Sequence, residues 1–109
     1  MRVAIATDGN MVAPHFGRCQ AYTIVDIVNG EVVGRTLVEN PGHQPGFLPA
    51  FLAERGVNCI IAGGMGPRAQ GLFAQYNILT ITGVTGPIEQ VLEDFINDDL
   101  QTGPNICEH

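Results

Sequence analysis

"NCIIAGGMGPRAQGLFAQYNILTIT" (residues 58–82) decides the fold. Residues 58–63 form a short apolar run closed by glycine, as a buried strand does. "GPRAQGLFAQYN" then opens a helix with Pro67 at its first position, where a missing N–H does no harm. "ILTIT" (78–82) is a strand again. Strand, helix, strand at this spacing is a βαβ unit, and a βαβ unit requires parallel strands joined by a right-handed crossover.

The same device continues on both sides. After the second strand, "GPIEQVLEDFINDDL" places Ile88, Val91, Leu92, Phe95 and Ile96 on one helical face. Before the first, "FLPAFLAERG" places Phe47, Leu48, Phe51 and Leu52 on one stripe, with Pro49 in the first turn and Gly56 as the stop. The N-terminal third reads differently. "RVAIAT" (2–7) is a buried strand, residues 9–19 a loop, and "AYTIVDIV" and "EVVGRTLVE" are β-branched runs joined by Asn29-Gly30. That dipeptide predicts a two-residue type I′ hairpin, which sets Val28 against Glu31 and Ile27 against Val32. Asp26 then falls diagonal to Arg35, within reach for a cross-strand pair. The sum is an α/β fold: a mixed five-stranded sheet with about three helices packed on it. The strand ending at Glu39 is expected at a sheet edge, so the chain is a monomer or a weak homodimer.

A chain of 109 residues, 45% apolar and 15% charged, fits one domain with one real core. We expect that domain over 1–100 and a flexible tail over 101–109. A formal net charge of −6 with five basic residues excludes a phosphate-backbone footprint, so nucleic acid is not an expected partner. No apolar run reaches the roughly 18 residues that span a bilayer. The opening "MRVAIATDGN" sets an arginine before apolar residues, as a signal peptide does. The run stops at Asp8 without a cleavage site, and a cytoplasmic location is expected. Three cysteines there are thiols or metal ligands rather than disulfides.

"APHFGRC" (13–19) holds His15 and Cys19 in a Pro/Gly loop, and the tail ends "CEH" with Cys107 and His109. Imidazole and thiolate suit zinc, copper or iron–sulfur species. Neither pair closes a tetrahedral set. Two pairs on irregular segments fit a site that admits and releases a bulky cofactor. Against this stands the plain reading: a solvated loop histidine and an incidental terminal cysteine. Cys59, in an apolar strand, reads as a small core residue. His43 in "NPGHQPG" reads as a third ligand or as plain surface.

"AGGMGPRA" (62–69) joins strand to helix. Gly64 and Gly66 let a ligand approach the backbone, the helix start offers amides to an anion, and Arg68 adds charge. Met65 offers a thioether or covers apolar surface. The alternative is a tight βα turn and nothing more. "VTGPIE" (84–89) repeats the Gly-Pro opening of a helix. Parallel strands share their C-terminal ends, so both turns and the loop bearing His15 and Arg18 are expected along one rim, where open α/β sheets bind ligands. Catalysis finds little support. A Cys–His nucleophile needs an orienting third group, and a two-metal nuclease needs clustered carboxylates. Asp8, Asp26 and Glu39 do not supply them, since the last two lie on the hairpin.

With "RVAIATDG", "HFGRC", the hairpin, "IIAGGMGPRA" and "GPIEQVLEDF" in place, residues 2–98 resemble the dinitrogenase iron–molybdenum cofactor biosynthesis family. That family includes small nitrogenase cofactor carriers and orange-protein-like domains. The resemblance implies a ribonuclease H-like sheet of order 3-2-1-4-5. It also implies non-catalytic binding, storage or transfer of a metal–sulfur cluster or its precursor: iron–molybdenum, molybdenum–copper or iron–sulfur. His15 is the leading ligand by position, Cys19 shares its loop, and Cys107 and His109 follow. Gly64, Met65, Gly66, Arg68 and Arg18 would contact the cofactor, and donor and acceptor proteins would be the partners. The alternative is a metal-free interaction or regulatory module on the same fold.

Overall fold

The computed structural model describes residues 1–42 and 46–104. Its strands are β1 (Arg2–Asp8), β2 (Met11–Val12), β3 (Ala21–Val28), β4 (Glu31–Glu39), β5 (Cys59–Ile61) and β6 (Leu79–Ile81). Its helices are α1 (Phe47–Glu54), α2 (Pro67–Gln75) and α3 (Ile88–Ile96). The sheet order is β4-β3-β1-β5-β6, with β2 paired to β1. β1 pairs antiparallel to β3 and parallel to β5, and β5 pairs parallel to β6. The sheet is therefore mixed, with its parallel half built by the βαβ unit.

β1 is buried along its centre because both its faces are covered. Its side chains alternate, as a period of two requires. Ala4 and Ala6 face one core, together with Tyr22, Ile24, Leu48, Leu52, Ile60, Met65 and Phe73. Val3 and Ile5 face the other, with Val25, Cys59, Ile61, Ile88, Val91 and Leu92. α1 and α2 thus lie on one face and α3 on the opposite one. The alanines leave room for the rings of Tyr22 and Phe73, both fully buried, so small and large side chains interdigitate at close-packed density.

The three helices end alike. Gly56, Asn77 and Asp98 sit just past their ends at φ 75°, 58° and 60°. In each case the left-handed residue and the one after it donate their amides back into the last turn: Gly56 and Val57 to Ala53 and Leu52, Asn77 and Ile78 to Ala74 and Phe73, Asp98 and Asp99 to Phe95 and Asp94. This is the Schellman closure, and it satisfies carbonyls the helix leaves open. Gly56 was visible as a stop in the sequence; Asn77 and Asp98 fill the same role with side chains that tolerate that conformation.

Several expectations are corrected. Residues 9–19 are not all loop, because Met11 and Val12 pair with Asp8 and Thr7. The sheet therefore counts six strands, not five, among the described residues. Pro87, in the Gly-Pro opening of α3, is its N-cap, with extended φ/ψ of −66° and 140°. Phe47 is 41% exposed. It stacks on Phe51, whose ring carries the Arg55 guanidinium 3.6 Å from its centroid, so half of the α1 stripe forms a surface stack. In the segment 101–104, the Gly103 amide donates to the Gly83 carbonyl at 2.7 Å.

The Asp26–Arg35 pair does not form. The hairpin turn is as expected, with Asn29 and Gly30 at φ 51° and 78° and Val28 opposite Glu31. A bulge then intervenes, so Ile27 faces Val32 but Asp26 faces Gly34. One extra residue moves every later side chain of β4 to the other face. Asp26 pairs instead with Arg2 (2.7 Å) and Arg35 with Glu89 of α3 (2.6 Å).

Cys59 is fully buried, and burial pushes its thiol up to about 11. A raised folded-state value means the unfolded chain releases its proton first as pH rises. The contribution is complete below about pH 9 and is lost between there and about pH 11. Melting curves at stepped pH should show the midpoint falling across that window, and Cys59→Ala should flatten the fall. An unchanged slope in Cys59→Ala would assign it to other groups.

Candidate functional site

The site is a rim made by the loops at one edge of the sheet. A ladder of main-chain bonds laces four segments together there. The Gly63 amide donates to the Ala13 carbonyl (2.9 Å), that of Gly83 to Gly63 (2.9 Å), and that of Gly103 to Gly83 (2.7 Å). Further bonds reinforce it: Phe16 to Gly64 (3.1 Å), Val12 to Gly86 (2.9 Å) and Ile88 to Asn10 (2.9 Å). The His15 loop, the glycine turn before α2, the Gly-Pro turn before α3 and the segment 101–104 therefore share one edge. Glycine is required at Gly83, which has φ +74° and where a Cβ would lie 2.0 Å from the Gly103 carbonyl oxygen. Gly83, Gly103 and Asn40 escaped the sequence reading. Their signal was a lone glycine after each of two apolar or helical runs, and an asparagine closing a strand.

His15 is half-buried in the loop 13–19. The loop is moored by its own backbone. The Phe16 carbonyl accepts from the Tyr22 hydroxyl (2.6 Å) and the Cys19 thiol (3.3 Å), and the Phe16 ring meets Phe73 edge-on at 5.6 Å. The Asn40 side chain donates to the Gly17 and Cys19 carbonyls at 3.1 and 2.9 Å.

Cys19 is 5% exposed and packs in the α1/α2 core. Burial raises its pKa, and the Asp8 charge adds to that, so at neutral pH it stands as a thiol turned inward. Met65 is fully buried in the same core, where its thioether covers apolar surface and is not presented at the rim. Gly64 is buried and Gly66 half-buried, with Gly66 as the N-cap of α2. Cys107, His109 and His43 lie outside the described residues. Among the described residues, no group of three or more His, Cys, Asp or Glu side chains could hold a metal ion.

Charge favours an anionic ligand at the rim. All five basic residues are arginines. Arg2 and Arg35 are held in ion pairs, and Arg55 lies over Phe51. Arg18 and Arg68 are exposed on the loop and at the start of α2, and among the described residues neither joins an ion pair. The two helix starts differ. α2 has no acidic residue in its first turn and no side-chain cap, whereas α3 carries Glu89 there, already joined to Arg35. The partial positive end of α2 is thus the one available to an anion.

Residues 1–98 match the family described as dinitrogenase iron-molybdenum cofactor. The chain belongs to this family. Uncharacterized protein MJ0580 of Methanocaldococcus jannaschii is 36% identical over 106 residues, which cover 93% of this chain and 90% of that one. The crystal structure of PH0822 superposes with a TM-score of 0.91 at 34% identity, covering 97% of each chain. The apo form of the orange protein from Desulfovibrio gigas superposes with a TM-score of 0.78 at 22% identity, covering 95% of this chain and 93% of that one. The last likeness is one of fold. Among the described residues of this family member, no helix is long and apolar enough to cross a membrane.

Proposed function

We propose that this protein binds a metal–sulfur cluster, or a precursor of one, as cargo, and stores or transfers it without turnover. What supports the reading is the laced rim: main-chain bonds join the loop bearing His15 and Arg18 to the turn that leads into Arg68 at the start of α2. The family it belongs to supplies the cofactor class. The strand order, with β2 set aside, supports reading the fold as ribonuclease H-like.

The donor set fits a cargo better than a resident ion. A lone metal ion needs about four protein ligands. A metal–sulfur cluster brings its own sulfur, so the protein needs one or two ligands plus charge compensation. His15 supplies the imidazole. Arg18 and Arg68 offset the cluster's negative charge, together with the amides at the start of α2. Cys19 can add a thiolate only after its proton leaves and its side chain turns outward. Cys107 and His109 follow Pro104, which the Gly103–Gly83 bond holds beside the rim, and we assign them as candidate second ligands. A cytoplasmic carrier of this kind would meet a donor and an acceptor protein.

The test is anaerobic reconstitution of the full chain with iron and sulfide, or with thiomolybdate with and without copper, read by visible absorption and elemental analysis. A stoichiometric chromophore is expected with at least one of them. His15→Ala should lower cluster occupancy about tenfold or more. It should move the thermal midpoint by only about 2 °C, because a loop side chain contributes little to the core. No chromophore under any condition would refute the carrier and favour a metal-free interaction module. A large stability loss in His15→Ala with occupancy intact would make His15 structural.

A further inference from the structure

Among the described residues, β4 is an open edge of the sheet, nine residues long. Exposed edges usually carry a charge, a proline or a bulge to prevent pairing with another chain. Here the bulge sits near the turn, between the Asp26 and Ile27 registers. Beyond it, Gly34 to Glu39 pair with β3 in unbroken register, so this half of the edge is regular and continuous. It carries Leu37, 65% accessible and the most exposed large apolar residue described.

The hydrogen-bonding phase of the strand can be read from its end. The Asn40 amide donates to the Gln20 carbonyl at 3.1 Å, so Asn40 points its backbone groups toward β3. Antiparallel strands alternate. Val38 and Thr36 therefore point the same way, while Glu39, Leu37 and Arg35 turn their N–H and C=O groups outward from the sheet. The side chains of Arg35 and Leu37 lie on the α3 face, where they line a groove of about 380 Å³ with Thr23, Ile88 and Glu89.

We infer that β4 pairs with β4 of a second copy of this chain, antiparallel and centred on Leu37. In this register Leu37 meets Leu37 across the two-fold axis, and Arg35 of each copy meets Glu39 of the other. All three positions present outward backbone groups, so the pairing forms backbone bonds at each of them. Moving the axis to the neighbouring outward-facing residue is worse. Centring on Arg35 sets arginine against arginine and Glu31 against Glu39, and like charges directly opposite are destabilising. Arg35 can serve two carboxylates, because its guanidinium has five N–H donors and Glu89 takes two of them. The result is a continuous sheet across both copies, with the two α3 helices on the same face.

The contact is short. It falls toward the low end of the interface range, below about 1,200 Å² in total, so a reversible dimer with a Kd on the order of 10–100 μM is expected. Sedimentation velocity of the full chain over a concentration series up to about 1 mM reads it directly. Leu37→Lys, which places like charges on the axis, should raise the Kd at least tenfold. So should Glu39→Arg, which opposes Arg35. Both positions are exposed, so circular dichroism and the thermal midpoint should stay within about 2 °C of the parent.

Leu37→Cys in a Cys107→Ser background should cross-link to a dimer on oxidation, since paired Cα atoms about 5.5 Å apart lie within disulfide range. Thr36→Cys in the same background should not. A parent chain monomeric throughout, or a dimer indifferent to Leu37→Lys, would overturn the inference. So would equal cross-linking from positions 36 and 37.

Discussion

Phe73→Ala is expected to lower stability by about 3–5 kcal/mol and to unmoor the His15 loop at the same time. Phe73 is fully buried. Its ring fills the core between α2 and the sheet, where Ala4, Ala6 and Ala62 are too small to close the space left behind. It also holds the edge-on contact with Phe16 at 5.6 Å, and Phe16 is the residue whose carbonyl gathers the Tyr22 hydroxyl and the Cys19 thiol. A midpoint shift of about 15 °C is expected for a domain of this size. Phe73→Leu keeps much of the volume and should recover more than half of the loss. Phe16→Ala separates the two roles. Phe16 is only half-buried, so its removal should cost less stability but should raise hydrogen exchange across residues 15–19 as much as Phe73→Ala does. If Phe73→Ala destabilises without raising exchange in that loop, the ring contact does not hold the site.

The second large effect belongs to Gly83→Ala. The new methyl carbon would lie 2.0 Å from the Gly103 oxygen and 2.6 Å from its carbon, both main-chain atoms that cannot swing aside. The φ of +74° adds left-handed strain, worth about 1–2 kcal/mol for a side-chain-bearing residue. Segment 101–104 must therefore leave the rim, which breaks the last rung of the ladder. Limited proteolysis near Gln101 should accelerate about tenfold or more, and the Gly103 amide should lose its protection. In the reconstituted protein, Gly83→Ala and deletion from residue 101 onward should lower cluster occupancy by similar factors if the terminal Cys107 and His109 take part. Unchanged occupancy in both would remove the tail from the site while leaving His15 in it. Unchanged proteolysis in Gly83→Ala would show that the Gly83–Gly103 contact does not hold the segment.

Local chemistry explains what was legible. The βαβ unit, the Asn-Gly hairpin and the Gly56 stop each rest on neighbours in sequence: apolar period, two residues with positive φ, one glycine in the left-handed region. The gathering of His15 with the glycine turns was legible for the same reason, because parallel strands share their ends. The Asp26–Arg35 error shows the limit. A bulge is one residue long, and its local trace in "EVVGRTLVE" is the lone Gly34; it moved Arg35 to the face of α3, where it pairs with Glu89. Cys19 shows it again. Its place in the His15 loop suggested a second ligand, and only the approach of Tyr22, Asn40 and the α1/α2 core shows the thiol turned inward.

The order of the elements and the pattern of apolar residues by themselves determined a mixed α/β sheet with helices on it and a shared rim of loops at the strand ends. Tertiary structure alone decided which side chains turn into the core, which arginines are already engaged and where the bulge shifts the register of β4. The division has a physical basis. Secondary structure follows from contacts a few residues apart, whereas burial, charge pairing and close backbone approach, as between Gly83 and Gly103, arise only when distant segments meet.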